Sequence, residues 1–258
     1  MKQPNTSSLP KASLGVVVRS AIFYLGQVLS TFAIGPLVLL AGKQPWETRY
    51  AIAQIWVRFN LWMLKNICGM SHEVHGLENI PAQNGVILSK HQSAWEAFHF
   101  QAIFPPLAFL LKQELLRIPL WGWAMAKLEP IAIDRGAKTA ALKKVLRDGE
   151  DRLKAGRWVV IFPEGTRVPP GQRGQYNSSG ALLAHRAGCP VLPVAHNAGE
   201  FWRRNAFLKF PGVIQVHIGP PIDPKQHSAA EVNKQAEEWI EARMAEISSV
   251  GPAPAGQA

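Results

Sequence analysis

Cysteine, charge and acidic residues are all scarce in this chain. Cys68 and Cys189 are its only two cysteines in 258 residues. They lie far apart, which excludes a disulfide-stapled secreted domain and a cysteine zinc module and fits a reducing compartment. Charged residues make up 18% of the chain, below the roughly 25% of an ordinary soluble domain. Acids are the poorer sign, 18 against 28 Lys+Arg, giving a net charge of +10. A hydrophobic content of 47% excludes intrinsic disorder for the bulk of the chain. Several motifs are also missing: a Gly-x-Ser-x-Gly elbow, a Gly-Lys-Thr phosphate loop, a His-Glu-x-x-His helix and any internal repeat. His72-Glu73-Val74-His75 has the wrong spacing for the zinc helix, so no metal site is expected. Basic nucleic-acid binding would account for the charge, yet no recognition or single-strand stacking motif accompanies it.

What is present first is an apolar run. No residue from Ser20 to Gly42 is charged, and 23 residues as helix span roughly 34 Å, enough for a hydrocarbon core of about 30 Å. Gln27, Ser30, Thr31 and the Gly35-Pro36 pair argue against a simple crossing and invite a kink or re-entrant hairpin. Basic residues flank both ends, so orientation is not set by charge. From Tyr50 to Gly69 the residues Ile52, Ile55, Trp56, Phe59, Trp62 and Met63 recur at helical spacing with Arg58 and Lys65 between. That stripe suits a helix in the headgroup layer or one packed on a globular core. Residues 1–66 are thus expected to form a tail and membrane-associated helices, 67–248 a globular domain, and 249–258, like the first ten residues, a disordered tail.

Beyond about residue 70, short apolar runs at Val86–Leu88, Leu107–Leu111, Pro130–Ile133, Trp158–Phe162, Val191–Ala195 and Val213–Ile218 read as buried strands. Helical periods at Ala137–Ala155 and Ser179–Ala187 alternate with them, and a last helix follows Ser228, with Glu231 completing a capping box. This predicts an α/β fold, a mixed and mostly parallel sheet flanked by helices.

Polar residues gather where these strands end. After Val86–Leu88 comes Lys90-His91-Gln92-Ser93-Ala94-Trp95-Glu96. A histidine in a strand-to-helix turn and a carboxylate in the first helical turn can meet, and such a pair suits general-base catalysis. Ser93-x-x-Glu96 equally spells a capping box in which Glu96 only closes a helix. After Trp158–Ile161 comes Phe162-Pro163-Glu164-Gly165-Thr166-Arg167, with a turn glycine and a guanidinium fork suited to phosphate. An internal Glu164–Arg167 ion pair would account for it as well. Asp134-Arg135-Gly136 and Lys112 close two further strands. Arg203-Arg204 among Phe201, Trp202, Phe207 and Phe210 reads as a membrane-contact loop or a locally packed one.

His91-x4-Glu96, the strand ending in Arg135, the hexapeptide Phe162–Arg167 and Val191-Leu192-Pro193-Val194-Ala195 together resemble the four blocks of the 1-acylglycerol-3-phosphate O-acyltransferases, over roughly residues 65–222. The resemblance implies transfer of a fatty acyl group from a thioester to the sn-2 hydroxyl of 1-acylglycerol 3-phosphate, making phosphatidic acid. It implies His91 as base and Glu96 as its orienting carboxylate. Arg135, Arg167 and Lys112 become phosphate contacts, Glu164, Gly165 and Thr166 the acceptor-site scaffold, and Pro193 a wall near the acyl site. Partners would be a lysophospholipid, an acyl-CoA or acyl carrier protein thioester as co-substrate, and a membrane, with no separate cofactor. The implied location is a bacterial inner membrane, with the catalytic domain on the cytoplasmic side. Three departures stand out: Glu96 for aspartate, Lys90 for asparagine, and Asn177-Ser178-Ser179-Gly180 for a segment that often carries lysines. A different lysolipid acceptor, or a catalytically silent scaffold, would share most of these features.

Overall fold

A computed structural model describes residues 12–134 and 136–251. Two long helices lead, α1 (Leu14–Leu40) and α2 (Trp46–Asn66). Seven strands follow: β1 (Met70–His75), β2 (Val86–Ser89), β3 (Leu107–Lys112), β4 (Ile131–Ile133), β5 (Trp158–Ile161), β6 (Val191–His196) and β7 (Gly212–Ile218). Between and after them lie α3 (Glu96–Ile103), α4 (Trp121–Ala126), α5 (Lys138–Lys154), α6 (Ser179–Ala187) and α7 (Ala229–Ile247). The strands form one sheet in the order β1-β7-β6-β2-β5-β3-β4.

Contiguous β-branched and leucine runs form strands buried on both faces, as parallel sheets require. β2 pairs parallel with β5 and β6, and β3 pairs parallel with β5 and β4. β7 turns antiparallel against β6, with β1 parallel to it. The sheet is therefore mixed and mostly parallel, as the sequence predicts. Alternate residues serve the two faces. Ile87, Val160, Leu192 and Val194 face α1, α2 and α3, while Val86, Leu88, Val159, Ile161 and Val191 face α5, α6 and α7. Ser228 and Glu231 form the expected capping box at α7. Strand β1 escaped the sequence reading because His72, Glu73 and His75 break its apolar pattern. It pairs only with β7, at the sheet edge, where such residues are tolerated.

The N-terminal helices depart from expectation in two ways. α1 starts at Leu14, with the Ser13 side chain accepting the Val16 N–H at 3.3 Å, and runs through Pro36 to Leu40 without a hairpin. Pro36 sits in the last turns, where losing one helical hydrogen bond breaks nothing further along. The boundary expected at residue 66 is not a packing boundary. Phe23 and Leu64 are fully buried and share one core with Cys68, Ile87, Trp95 and Phe100. Meanwhile Ile55, Phe59 and Trp62 of the expected amphipathic stripe remain exposed, beside Leu25, Val28, Leu29 and Phe32 of α1. Each helix is thus apolar on two sides, one spent on the core and one left outward. At the other end, residues 1–11 and 252–258 lie outside the described residues, whereas Ser249, expected in a disordered tail, bonds the Glu200 carboxylate through its N–H and hydroxyl.

Candidate active site

Because β2, β5, β3 and β4 are adjacent and parallel, their carboxyl ends form one row. That row carries His91, then Glu164 to Arg167, then Lys112, then the turn at Asp134. With neighbouring strands about 4.8 Å apart, Lys112 sits about 10 Å along the row from His91. This is where ligands bind in open α/β sheets.

His91 lies in the turn between β2 and α3, its Nδ1 at 2.5 Å from Glu96 Oε2. Glu96 is 1% exposed, and its other oxygen accepts the N–H groups of Gln92 at 2.7 Å and Ser93 at 2.6 Å. The carboxylate divides its two oxygens: one closes the turn into α3 while the other holds the histidine, so Glu96 does more than close a helix. Ser93 Oγ accepts from Trp95 N rather than from Glu96 N, so the box is only half formed. Nδ1 donating to a carboxylate leaves Nε2 as the basic nitrogen. The ring stacks on Phe162, with centroids 3.9 Å apart. That contact fixes the ring plane and joins the first block to the hexapeptide.

Burial pushes the Glu96 carboxyl up. The charges of His91 and His196, with hydrogen bonds from the His91 ring and the Gln92 N–H, more than reverse this and leave it below its ordinary value. A carboxyl lowered on folding adds stability that is complete above its unfolded pKa and lost as pH falls through the folded one. Glu96→Gln should therefore lower the melting temperature at pH 7, and the gap from wild type should narrow below about pH 4. A gap constant with pH would contradict the ionised state.

The hexapeptide follows β5. Phe162 C=O accepts from Gly165 N at 3.0 Å, and Gly165 takes φ +65, a left-handed conformation that favours glycine. The turn lets the segment grip His91 from both sides: the His91 N–H donates to Glu164 Oε2 at 3.0 Å, and the His91 C=O accepts from Val168 N at 2.7 Å. The expected alternative, a Glu164–Arg167 ion pair, does not form. Glu164 instead meets Lys90 Nζ at 2.7 Å, with both side chains almost wholly buried. Arg167 pairs with no carboxylate among the described residues, and its Nε is buried without a partner. Thr166 and Lys112 are exposed on this edge. Arg135 lies outside the described residues. Asn177 bonds Pro163 O through its main-chain N–H at 2.9 Å and through its side chain, bracing the hexapeptide from behind.

Pro193 is not brought to the dyad. It is buried in β6 opposite Leu88 and packs beside Gly219 and Trp239, toward α7. Three residues outside the sequence-predicted set also converge here. Lys90 anchors Glu164, His196 Nε2 lies 2.9 Å from Lys90 O and 3.3 Å from Glu96 Oε1, and Arg204 Nη1 donates to Arg167 O at 3.3 Å. A lone histidine at a strand end carries no sequence signal of such a contact. The Lys90 substitution was visible only as a departure from the family pattern. No group of three or more potential metal ligands occurs among the described residues.

A family model described as Acyltransferase matches residues 71–197, from β1 to just past β6. The chain is 47% identical over 238 residues to the 1-acyl-sn-glycerol-3-phosphate acyltransferase of Pseudomonas aeruginosa, covering 90% of this chain and 93% of that one. It is 29% identical to the lyso-ornithine lipid O-acyltransferase of the same organism, over 71% of this chain and 69% of that one. Its fold matches the crystal structure of the 1-acyl-sn-glycerophosphate acyltransferase PlsC from Thermotoga maritima, with TM-score 0.72, 25% identity and 90% and 95% of the two chains covered. With the histidine-carboxylate pair at the head of β2 and near half-identity along almost the whole chain, the protein is an acyltransferase and belongs to the 1-acyl-sn-glycerol-3-phosphate acyltransferase family.

Proposed function

We propose that this protein transfers a fatty acyl group from a thioester to the sn-2 hydroxyl of 1-acylglycerol 3-phosphate, releasing phosphatidic acid and a free thiol. The observation that carries the reading is the His91–Glu96 pair, tautomer-fixed and on one sheet edge with Arg167, which meets no carboxylate among the described residues. His91 Nε2 takes the hydroxyl proton as the oxygen attacks the thioester carbonyl. The tetrahedral intermediate then expels the thiolate, which recovers the proton from the imidazolium. Glu96 stabilises that imidazolium while it exists. A thioester is already activated, so the reaction asks for a positioned base and an acceptor site rather than a metal or redox cofactor.

Arg167, with Lys112 along the same edge, holds the acceptor phosphate in this reading, and Arg135 joins them on the sequence pattern alone. Arg167→Lys should then raise the acceptor KM at least 10-fold and leave the donor KM within about 2-fold, because a point charge cannot replace a bidentate fork. The assay is thiol release from acyl-CoA and from acyl carrier protein thioester, with 1-acylglycerol 3-phosphate, a phosphate-free monoacylglycerol and lyso-ornithine lipid as acceptors. Equal use of the phosphate-free acceptor by the intact enzyme would remove the phosphate assignment. Preference for lyso-ornithine lipid would move the protein to the acceptor class of its more distant relative.

The membrane role rests on α1 and α2. The most apolar 18 residues of the segment Leu14–Lys43 have mean hydropathy 1.7, and only 17% of that stretch is buried. Yet α1 packs at both ends on the globular part: Ser20 Oγ accepts the Lys209 N–H, Phe23 meets Trp202, and Gly35 abuts Leu120. A helix held along its length by a charged domain would drag that domain into hydrocarbon if it crossed upright. It lies instead in one leaflet, its outer face with Ile55, Phe59 and Trp62 buried among acyl chains. A bacterial inner membrane, with the site on the cytoplasmic side, supplies both substrates.

A further inference from the structure

Lys90 is the residue in the site whose presence the reaction as described does not require. It follows β2, is 1% exposed, and its main chain is held by Val194 O and by the His196 ring. Its ammonium spends all three N–H groups: on Glu164 Oε1 at 2.7 Å, Glu241 Oε1 at 2.9 Å and Gln172 O at 3.1 Å. Glu241 belongs to α7, far along the chain, and also accepts from Tyr176 Oη at 2.8 Å. Glu164 completes the set with Oε1 on Gly174 N and Oε2 on the His91 N–H.

Burying an ammonium between two carboxylates is costly, and an apolar side chain of the same volume would often be the more stable choice. What the ion pair adds is direction. Resting on the reading of His91 as the base, we propose that Lys90 is a positioning residue: together with Glu241 of α7 it fixes the Glu164 carboxylate, and so sets the main chain, and hence the Nε2, of His91. An asparagine at position 90 is shorter than lysine and could serve only the near carboxylate. Lysine makes the C-terminal helix part of the catalytic support. Glu164 accordingly works on His91 from behind, through its Oε2, as well as shaping the acceptor side.

The test uses the full chain in detergent or native membranes, with kcat and both KM values measured for wild type, Lys90→Met, Lys90→Asn, Glu241→Gln and His91→Ala, and for Lys90→Met in the His91→Ala background. A misplacement of about 1 Å at a base can cost about 100-fold. Lys90→Met should lower kcat 30- to 100-fold with both KM values within about 3-fold. Glu241→Gln should lower kcat 3- to 10-fold, and Lys90→Asn should fall between the two. In the His91→Ala background Lys90→Met should cost nothing further, because it acts only through the missing ring. Wild-type kcat in Lys90→Met, or an undiminished further loss in the His91→Ala background, would overturn the proposal. If Lys90→Met does not fold, Glu241→Gln and Lys90→Asn decide, and wild-type kcat in both overturns it. Retained activity in His91→Ala alone would instead defeat the reading of the base on which this rests.

Discussion

Alanine at His91 or at Glu96 is expected to lower kcat by about 10³-fold, and the double substitution to lose no more than the worse single one, because both act in one proton transfer. The structure sharpens the choice of substitutions. Glu96 holds His91 Nδ1 with one oxygen and the Gln92 and Ser93 N–H groups with the other. Alanine removes both functions, so part of its effect is a stability loss from leaving two buried N–H groups without an acceptor, about 1–3 kcal/mol each. Glutamine can keep its oxygen on the two N–H groups, but it then presents an amide N–H to Nδ1. That forces the proton onto Nε2, the wrong tautomer for a base. Glu96→Gln should therefore melt above Glu96→Ala yet be nearly as inactive. Glu96→Asp keeps the charge and should exceed Glu96→Gln at least 30-fold in kcat. Additive losses in log kcat for the His91 and Glu96 alanines would show that the two do not act together.

The second large effect concerns the N-terminal helices. A chain starting near residue 67 would be a soluble active domain if α1 and α2 were only an anchor. They are not: Phe23, Met63 and Leu64 lie in the core beneath Ile87 and Trp95, the layer that carries α3 and so Glu96. Truncating one buried phenylalanine typically costs about 3–5 kcal/mol, and whole-protein stability is about 5–15 kcal/mol. Removing both helices should abolish cooperative unfolding and all activity, on bilayer-embedded and on dispersed short-chain acceptor alike. Outward residues behave oppositely. Phe32, 67% exposed, and Trp62, 56% exposed, can become serine with little effect on the melting temperature. The pair should release protein from the membrane pellet in carbonate and lower activity on bilayer substrate more than on the dispersed analogue. A monodisperse, active chain beginning at residue 67 would refute this account of the core.

The sequence by itself determined most of the elements and the family, though not β1. Uninterrupted apolar runs can be satisfied only as strands buried on both faces, which is why β2 to β7 are legible within a residue or two at most ends. A histidine and a carboxylate flanking a strand-to-helix turn have few ways not to meet. The hexapeptide that begins at Phe162 reads as a tight turn for the same local reason, and Gly165 makes it. Tertiary structure decided everything that depends on strand order. The order β6-β2-β5-β3-β4 puts the blocks on one edge, turns Pro193 to the α7 face, and lets Lys90 reach a carboxylate from near the end of the described chain. It also decided which apolar side of α1 and α2 is core and which is free. Period and composition report only that a side chain prefers to leave water. Whether protein or lipid receives it depends on what packs alongside, and that is set by residues distant in the chain.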